Sequence, residues 1–444
     1  MNKTTLPPKG LFLNIKTTAE TINILHKHFA PIVQGIESIP ILEANNRVLA
    51  QDVYSQEDIP NFNRSTMDGY SLNARDTFGA SANMPAYLNI AGDVLMGEAT
   101  SLSLKSGEAA RIPTGGMLPE NANAVVMIEH THEIDSKTLE VQKPVGIWEN
   151  TVRIGQDIKK QGILFAKGRL LRAYEIGALA AIGQTRADVY QRLKVGIIST
   201  GDEIVPAHAL PNIGQVRDIN SFIIGSKLLE LGAVPEFYGI VQDKADLIHD
   251  AVLACVEQND VVLICGGSSV GTRDFVVDTL SSMGEVLVHG VAMRPGKPTI
   301  VAQIDGKPVI GLPGHPASTT IVFLILVQPL LAHLQNTTLS QGYLTAVTSR
   351  NIPSHPGRED YVRVKIKSIQ SNAKCMMQDA GLQILNKEFE IATPIFSPDT
   401  KYLAEPVFGP SGLIHPIFEA NGLIKIPIDC EGLNKGEETR VMLI

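Results

Sequence analysis

The chain has 444 residues, a formal net charge of −8 at pH 7 and 44% hydrophobic side chains. Its length exceeds what one core organises, so roughly two to four domains are expected, and the acidic balance argues against a nucleic-acid binder. Four scattered cysteines, Cys255, Cys265, Cys375 and Cys430, show no CxxC spacing; neither a zinc site nor a disulfide framework is indicated, and the cytoplasm fits best.

The amino terminus, MNKTTLPPKGLFLNIKTTAE, lacks the basic-then-apolar order of a signal peptide and reads as a short flexible lead-in. Thr17–His28 has helical spacing, and SIPILEANNRVLAQDVYS reads as a second amphipathic unit ending in extended chain. After the turn-rich IPNFNRSTMDGYSLNARD, the span from Pro85 to Ile163 consists of short alternating strands split by Gly, Pro and Asn, which predicts an all-β insertion. In that span EHTHE sets His130 and His132 two apart on one strand face. With no third ligand at zinc spacing, they are read as ordinary strand residues. Leu171–Gln184 predicts a helix.

From Lys194 to Ser340 the texture becomes α/β. KVGIISTGDEIV, DVVLICGGSSVGTRDF, VAMRPGKPT and PVIGLPGHPAST are apolar runs that each open into a glycine-rich turn, as buried parallel strands do. Helices are expected at INSFIIGSKLLELG, capped by Asn220 or Ser221, and at KADLIHDAVLACVEQ, capped near Asp243. Thr319–Leu334 is apolar, but Gln328 and Pro329 interrupt it and it falls short of the ~20 residues of a membrane span, so it reads as a buried helix and no membrane role is expected. The tail from Gly342 to Ile444 is again β-rich and predicts a small barrel or sandwich. The resulting division is 1–58 with 162–193 (a discontinuous helical and extended linker domain), 59–161 (the β-rich insertion), 194–340 (α/β) and 341–444 (β-barrel-like).

Ligands of open α/β sheets gather at the strands' carboxyl ends. Glycines there let backbone N–H groups approach an oxyanion, and Gly266, Gly267, Gly271, Gly311 and Gly314 are so placed. Arg294 and Lys297 add positive charge, while Asp202, Glu203 and Asp274 add carboxylates. Such a mixture suits a polyanion that arrives with a divalent metal.

Seven motifs, STMDGY, GEAARIPTGGMLP, AVVMIEH, STGDE, GGSSVGTRD, RPGKP and GLPGHPAS, resemble in order those of the MoeA family of molybdopterin molybdenumtransferases, which is similar to the gephyrin E domain. The resemblance implies an α/β plus all-β fold: an elongated multidomain subunit with a central open α/β domain of the molybdopterin-binding kind, a β-rich insertion and a small C-terminal β-barrel. It further implies Mg²⁺-dependent insertion of molybdate, or tungstate, into molybdopterin adenylate with release of AMP. The active site would be shared between the subunits of a homodimer, and the molybdopterin adenylyltransferase is an implied contact.

By position in the family pattern, Asp68, Thr114, Glu203, Asp243 and Asp274 are the implied catalytic residues, with Glu203, Asp243 and Asp274 at the metal. The implied substrate-binding residues are Asp157, Ser199, Thr200, Gly266, Gly267, Ser269, Arg294, Lys297, Pro313, His315, Pro316, Ser318, Arg358 and Ser411. The chain departs from the commoner pattern at Asn63, Asn123 and Gln156, where acids are usual, and at His315, where Asn is common. Two other readings compete. One is molybdopterin adenylylation, but a short single-domain chain is expected for that and STMDGY, RIPTGG and the β tail count against it. The other is a non-catalytic scaffold, against which the retained Asp68, Glu203 and Asp274 argue.

Overall fold

The computed structural model describes residues 15–32, 34–266, 272–337, 341–369 and 401–444. Residues 1–14 of the lead-in, Gly267, Ser269, Gly271 and Cys375 lie outside the described residues, as does the side chain of Asp274. The chain divides into two compact units, one of residues 1–36 with 190–444 and one of residues 37–189.

In the first unit a six-stranded sheet runs in the order Val234–Val241, Lys194–Thr200, Val261–Cys265, Lys307–Leu312, Ile300–Ile304, Glu285–His289. The first four strands are parallel, Ile300–Ile304 alone runs against them, and Glu285–His289, antiparallel to that strand, returns to their direction. Alternation sends Val195 and Ile197 to one face, where they meet Leu25, Ile224, Leu228 and Phe323 from the helices Thr18–His28, Asn220–Glu230 and Pro316–Leu334. Ile198 and Ile264 face the other way, onto Ile248, Val252, Cys255 and Leu280 of Ala245–Gln258 and Thr272–Met283. Gly196 is required here because a Cβ would collide with the Cys255 sulfur, so its absence sets how closely that helix approaches the sheet.

Pro316–Leu334 is long and apolar enough by composition to cross a membrane, yet 72% of that window is buried in the fold, as a core helix is. A π-helical turn at Phe323–Val327 comes just before Pro329, where the missing N–H interrupts the regular ladder of the continuous helix.

The tail forms a closed barrel. Glu359–Ile369 pairs with Lys401–Pro406, then Tyr343–Thr348, Glu438–Leu443 and Gly422–Ile426 follow, and the last pairs back onto Glu359–Ile369. Closure removes free edges, and Val364, Ile366, Ala404 and Val441 fill the interior.

Several local expectations are corrected. The run VAMRPGKPT contributes no strand to the α/β sheet; only Met293–Arg294 is extended, and it pairs in parallel with Glu359–Asp360 of the barrel. Asn220 is the first helical residue rather than a cap, and the Asp218 carboxylate takes the capping role by accepting the Ser221 N–H at 3.2 Å. Asp243 does not cap Ala245–Gln258, whose N-cap is the adjacent Lys244; the Asp243 Oδ1 is buried without a partner among the described residues. SIPILEANNRVLAQDVYS opens in the end of a strand, Ile36–Pro40, and forms a single 3₁₀ turn, Ile41–Ala44, rather than a longer amphipathic unit, and it ends extended, as expected, at Val53–Tyr54.

The second unit holds a six-stranded sheet in the order Ala124–Met127, Gly69–Leu72, Glu108–Ile112, Ala86–Asp93, Thr138–Val141, Thr131–Glu133. Both faces are covered: Tyr70, Leu72 and Val126 pack in one cluster, and Ala110, Ile112 and Val125 in another. His130 closes a 3₁₀ turn, Ile128–His130, while His132 lies on the next strand, so the two do not share a strand face. The helix Ala173–Ala181 packs Leu179 with Leu49, Leu171 and Val189.

Candidate active site

In the first unit a cavity of about 650 Å³ gathers Arg294, Lys297, Pro313, His315, Ser318, Arg358 and Ser411. Backbone pairing explains how residues from distant segments meet there. Arg294 is paired with Asp360, which places it beside Arg358 at the start of the first barrel strand. Asp360, only 4% exposed, lies 3.2 Å from Arg358 Nε and 3.8 Å from Arg294 Nη1, and accepts a hydrogen bond from Ser354 Oγ at 3.0 Å. Three cations thus line the cavity with one buried carboxylate behind them, an arrangement suited to a multiply charged oxyanion.

The opposite wall is the start of the long core helix. His315 is its N-cap and Pro316 its first residue. The Pro313 carbonyl accepts the Thr319 hydroxyl. Ser411 closes onto this end: its carbonyl accepts the Ala317 N–H at 3.2 Å, and its hydroxyl lies 3.0 Å from His315 Nδ1. The segment GPSGLI, which carries Ser411, therefore reaches the site, where Ser318 is buried.

A second group of expected residues lies at the carboxyl ends of Lys194–Thr200 and Val234–Val241. The Ser199 hydroxyl donates to Asp218 at 2.6 Å. Thr200 is 2% exposed and its hydroxyl has no hydrogen-bond partner among the described residues. Gly266 faces it, and a Cβ there would stand 2.5 Å from Thr200 Oγ1. Asn220 donates to the Gly314 carbonyl at 2.8 Å, while its own buried Oδ1 has no partner among the described residues. Buried polar atoms without partners are uncommon in native proteins and point to a ligand or water. Beside Ser199 a further cavity of about 520 Å³ is walled by Phe222 and Phe237, whose ring centroids are 6.4 Å apart.

Asp243 belongs to this edge. Its N–H donates to Asp202 Oδ1 at 3.3 Å, and its own Oδ1 is buried without a partner among the described residues. Burial, followed by the negative charges of Asp202 and Glu203, raises its pKa above the ordinary 3.8. Glu203 is exposed. Among the described residues no three or more His, Cys, Asp or Glu side chains form a complete metal-binding group. Two carboxylates with an orphaned oxygen nevertheless fit Mg²⁺, which keeps several waters and shares its shell with substrate phosphates. Asp274 lies in the first turn of Thr272–Met283.

In the second unit Asp68 and Thr114 come together, the Asp68 carboxylate accepting the Thr114 N–H at 2.7 Å. Gly69 permits the tight strand entry, since a Cβ would strike the Val126 carbonyl. One residue on, Tyr70 donates to Glu133, which Arg111 grips with two bonds of 2.6 and 2.8 Å. The Arg111 and Tyr70 bonds hold the Glu133 carboxyl down at about 2, while burial and Glu133 push Tyr70 up to about 12. Asp157 is exposed in a turn whose N–H donates to the Ile59 carbonyl at 3.0 Å.

The three amide departures have local work. Asn63 accepts the Ile154 N–H, Asn123 the Ala74 N–H and Gln156 the Arg153 N–H, at 2.8, 2.8 and 2.9 Å. A neutral carboxamide oxygen is sufficient for such ties. Asp218 and Asp360 were not among the expected residues. Asp218 carries a readable signal, an acid three residues before Ser221 at a helix start; Asp360 carries none.

Three family models match the chain: the MoeA N-terminal region (domain I and II) at residues 16–183, a probable molybdopterin binding domain at 196–333 and the MoeA C-terminal region (domain IV) at 393–444. A putative molybdopterin biosynthesis protein of Methanocaldococcus jannaschii is 35% identical over 419 residues, 92% of either chain. A molybdopterin molybdenumtransferase of Haemophilus influenzae is 32% identical over 358 residues, 80% of this chain and 86% of its own. The crystal structure of a molybdopterin biosynthesis MoeA protein from Pyrococcus horikoshii, 33% identical, covers 97% of this chain and 99% of its own with a TM-score of 0.72. With its motifs in order and relatives of this identity along nearly its full length, the chain belongs to the MoeA family of molybdenum cofactor biosynthesis.

Proposed function

We propose that the chain is a molybdopterin molybdenumtransferase that inserts molybdate into adenylylated molybdopterin and releases AMP. The observation that carries this reading is the cavity in which Arg294, Lys297 and Arg358 converge with His315 and Ser411. Molybdate is a tetrahedral dianion, and fixed guanidinium and ammonium groups bind it while hydroxyl and imidazole donors orient its oxygens. The orphaned Thr200 hydroxyl and Asn220 carbonyl oxygen offer hydrogen bonds to the polar edge of the pterin.

Glu203 and Asp243, with Asp274, would hold Mg²⁺, which supplies charge neutralisation at the phosphoanhydride whose cleavage frees AMP. By the family resemblance, Asp68, Thr114 and Asp157 serve the cleft of the other subunit in a homodimer, and the protein works in the cytoplasm. Contact with the molybdopterin adenylyltransferase would hand over the adenylate directly.

The test is incubation of purified protein with molybdopterin adenylate, Mg²⁺ and molybdate, with AMP release as the readout and tungstate as competitor. Molybdate-dependent AMP release supports the reading. Consumption of ATP with formation of the adenylate would identify the preceding reaction instead, and no turnover of either substrate would leave a scaffold.

A further inference from the structure

We propose that Asp360 is a positioning residue for the oxyanion, setting the separation and orientation of the Arg294 and Arg358 guanidinium groups; this rests on the reading of the cavity as the molybdate site. Neither arginine is rigid on its own: Arg294 has a side chain 59% exposed and Arg358 one 35% exposed. Long cationic side chains of that exposure ordinarily sample many rotamers, and freezing them on ligand binding costs affinity. Asp360 limits that freedom from behind. Its side chain is 5% exposed, its Oδ1 lies 3.2 Å from Arg358 Nε and its Oδ2 3.8 Å from Arg294 Nη1.

The carboxylate is itself held. Ser354 Oγ donates to Oδ2 at 3.0 Å, and the Asp360 backbone is paired with Arg294. Its neighbour Glu359 points to the other side of the strand, as alternation requires, where Tyr361 donates at 2.8 Å and Lys425 stands at 2.7 Å. Anchoring on both faces leaves the Asp360 side chain little room to turn.

Charge is the second part of the role. Asp360 offsets part of the positive charge that Arg294 and Arg358 present, so the group suits a dianion better than a more highly charged ligand. Asp360 thereby both preorganises the arginines and tempers the pull of the site on polyphosphates.

The experiment compares Asp360→Asn and Ser354→Ala with wild type in AMP release, varying molybdate and molybdopterin adenylate separately and adding pyrophosphate as inhibitor. For Asp360→Asn, loss of a charge-assisted bond predicts a rise of about tenfold in KM for molybdate. Its kcat at saturating molybdate should stay within about twofold of wild type, because a group acting only through ground-state positioning leaves the later step alone. The KM for the adenylate should hold, and inhibition by pyrophosphate should tighten. Ser354→Ala should raise the molybdate KM about threefold, as loss of one neutral hydrogen bond does, and decides the matter if Asp360→Asn fails to fold. A merely structural role would lower kcat or folded yield and leave the KM ratio unmoved. An unchanged molybdate KM in Ser354→Ala and in any folded Asp360→Asn overturns the proposal, as does an equal rise for both substrates. Arg294→Gln with Lys297→Gln separates the two levels: if that pair also leaves the molybdate KM unchanged, the assignment of the cavity has failed, whereas if it raises KM while Asp360→Asn does not, only the role of Asp360 has failed.

Discussion

The Asp68 carboxylate accepts the Thr114 backbone N–H at 2.7 Å, joining two turns 46 positions apart at the end of one sheet. The bond needs an acceptor oxygen, which Asn also provides, whereas chemistry on a bound substrate needs the negative charge. Asp68→Asn should therefore keep the melting temperature of the wild type yet lose about 100-fold or more in AMP release, the scale of a lost catalytic group. Full activity in Asp68→Asn together with loss in Asp68→Ala would reduce Asp68 to a loop tie.

Glu203 is exposed just beyond a buried strand, so its removal should leave folding intact. Glu203→Ala is expected to abolish AMP release with a nearly unchanged melting temperature. If clefts are shared across a two-fold homodimer, mixing inactive Asp68→Ala and Glu203→Ala subunits restores one intact cleft in each mixed dimer, and activity returns to roughly a quarter of wild type. No recovery after confirmed subunit exchange rejects the shared cleft.

Asp243 gives a pH-dependent signature. Its folded-state pKa lies above the ordinary 3.8 through burial and the adjacent Asp202 and Glu203 charges, so the folded state holds the proton more tightly than the unfolded one. Stability of the metal-free protein therefore falls as pH rises from about 3.8 through the folded value, and the deficit persists at pH 7. Asp243→Asn should raise the metal-free melting temperature at pH 7, with the gain vanishing below about pH 3.8, and should blunt the stabilisation produced by added Mg²⁺. Calorimetry showing the same Mg²⁺ increment in both proteins would remove Asp243 from the metal.

Glu359 should behave with the opposite sign. Burial works against its charge, but Lys425 and the Thr18 and Tyr361 hydroxyls outweigh burial and bring its pKa below 4.5. The stability it contributes is present above pH 4.5 and is lost as pH falls through the folded value. Glu359→Gln should cost about 1–2 kcal/mol at pH 7, less than a fully buried pair because Lys425 is half exposed, and progressively less in acid. Equal losses at pH 7 and pH 3 in denaturant titrations would contradict this.

What could be read from the residues alone follows from the range of the interactions involved. Lys194–Thr200, Val261–Cys265 and Lys307–Leu312 are legible because burial on both faces makes each a continuous apolar run before a glycine turn. VAMRPGKPT has the same appearance, yet its partner is the barrel strand beginning at Glu359, and local pattern carries no information about a partner that far away. The resemblance named Arg294, Lys297, His315, Arg358 and Ser411 together, and the fold brings them to one cavity. Asp360 is not legible in this way, because an acid near an arginine in PGRED has the pattern of any solvated pair and only its burial distinguishes it. The capping assignments failed for a related reason: Asp243 has the right spacing for a cap, but the N-cap is Lys244 and the Asp243 Oδ1 is buried without a partner among the described residues.

The pairing of Met293–Arg294 with Glu359–Asp360 also bears on how the chain can be cut and recombined. Matches to the family fall into separate blocks at 196–333 and 393–444, which invites treating the C-terminal barrel as an exchangeable cassette. The two extended pieces put one half of the cation cluster on each side of that seam. A chimera joined anywhere from 300 to 350 would inherit Arg294 and Lys297 from one parent and Arg358 with its carboxylate from the other. The cation cluster is thus inherited with neither block alone: it runs from Arg294 inside the first into the stretch between the two, where Arg358 and Asp360 lie.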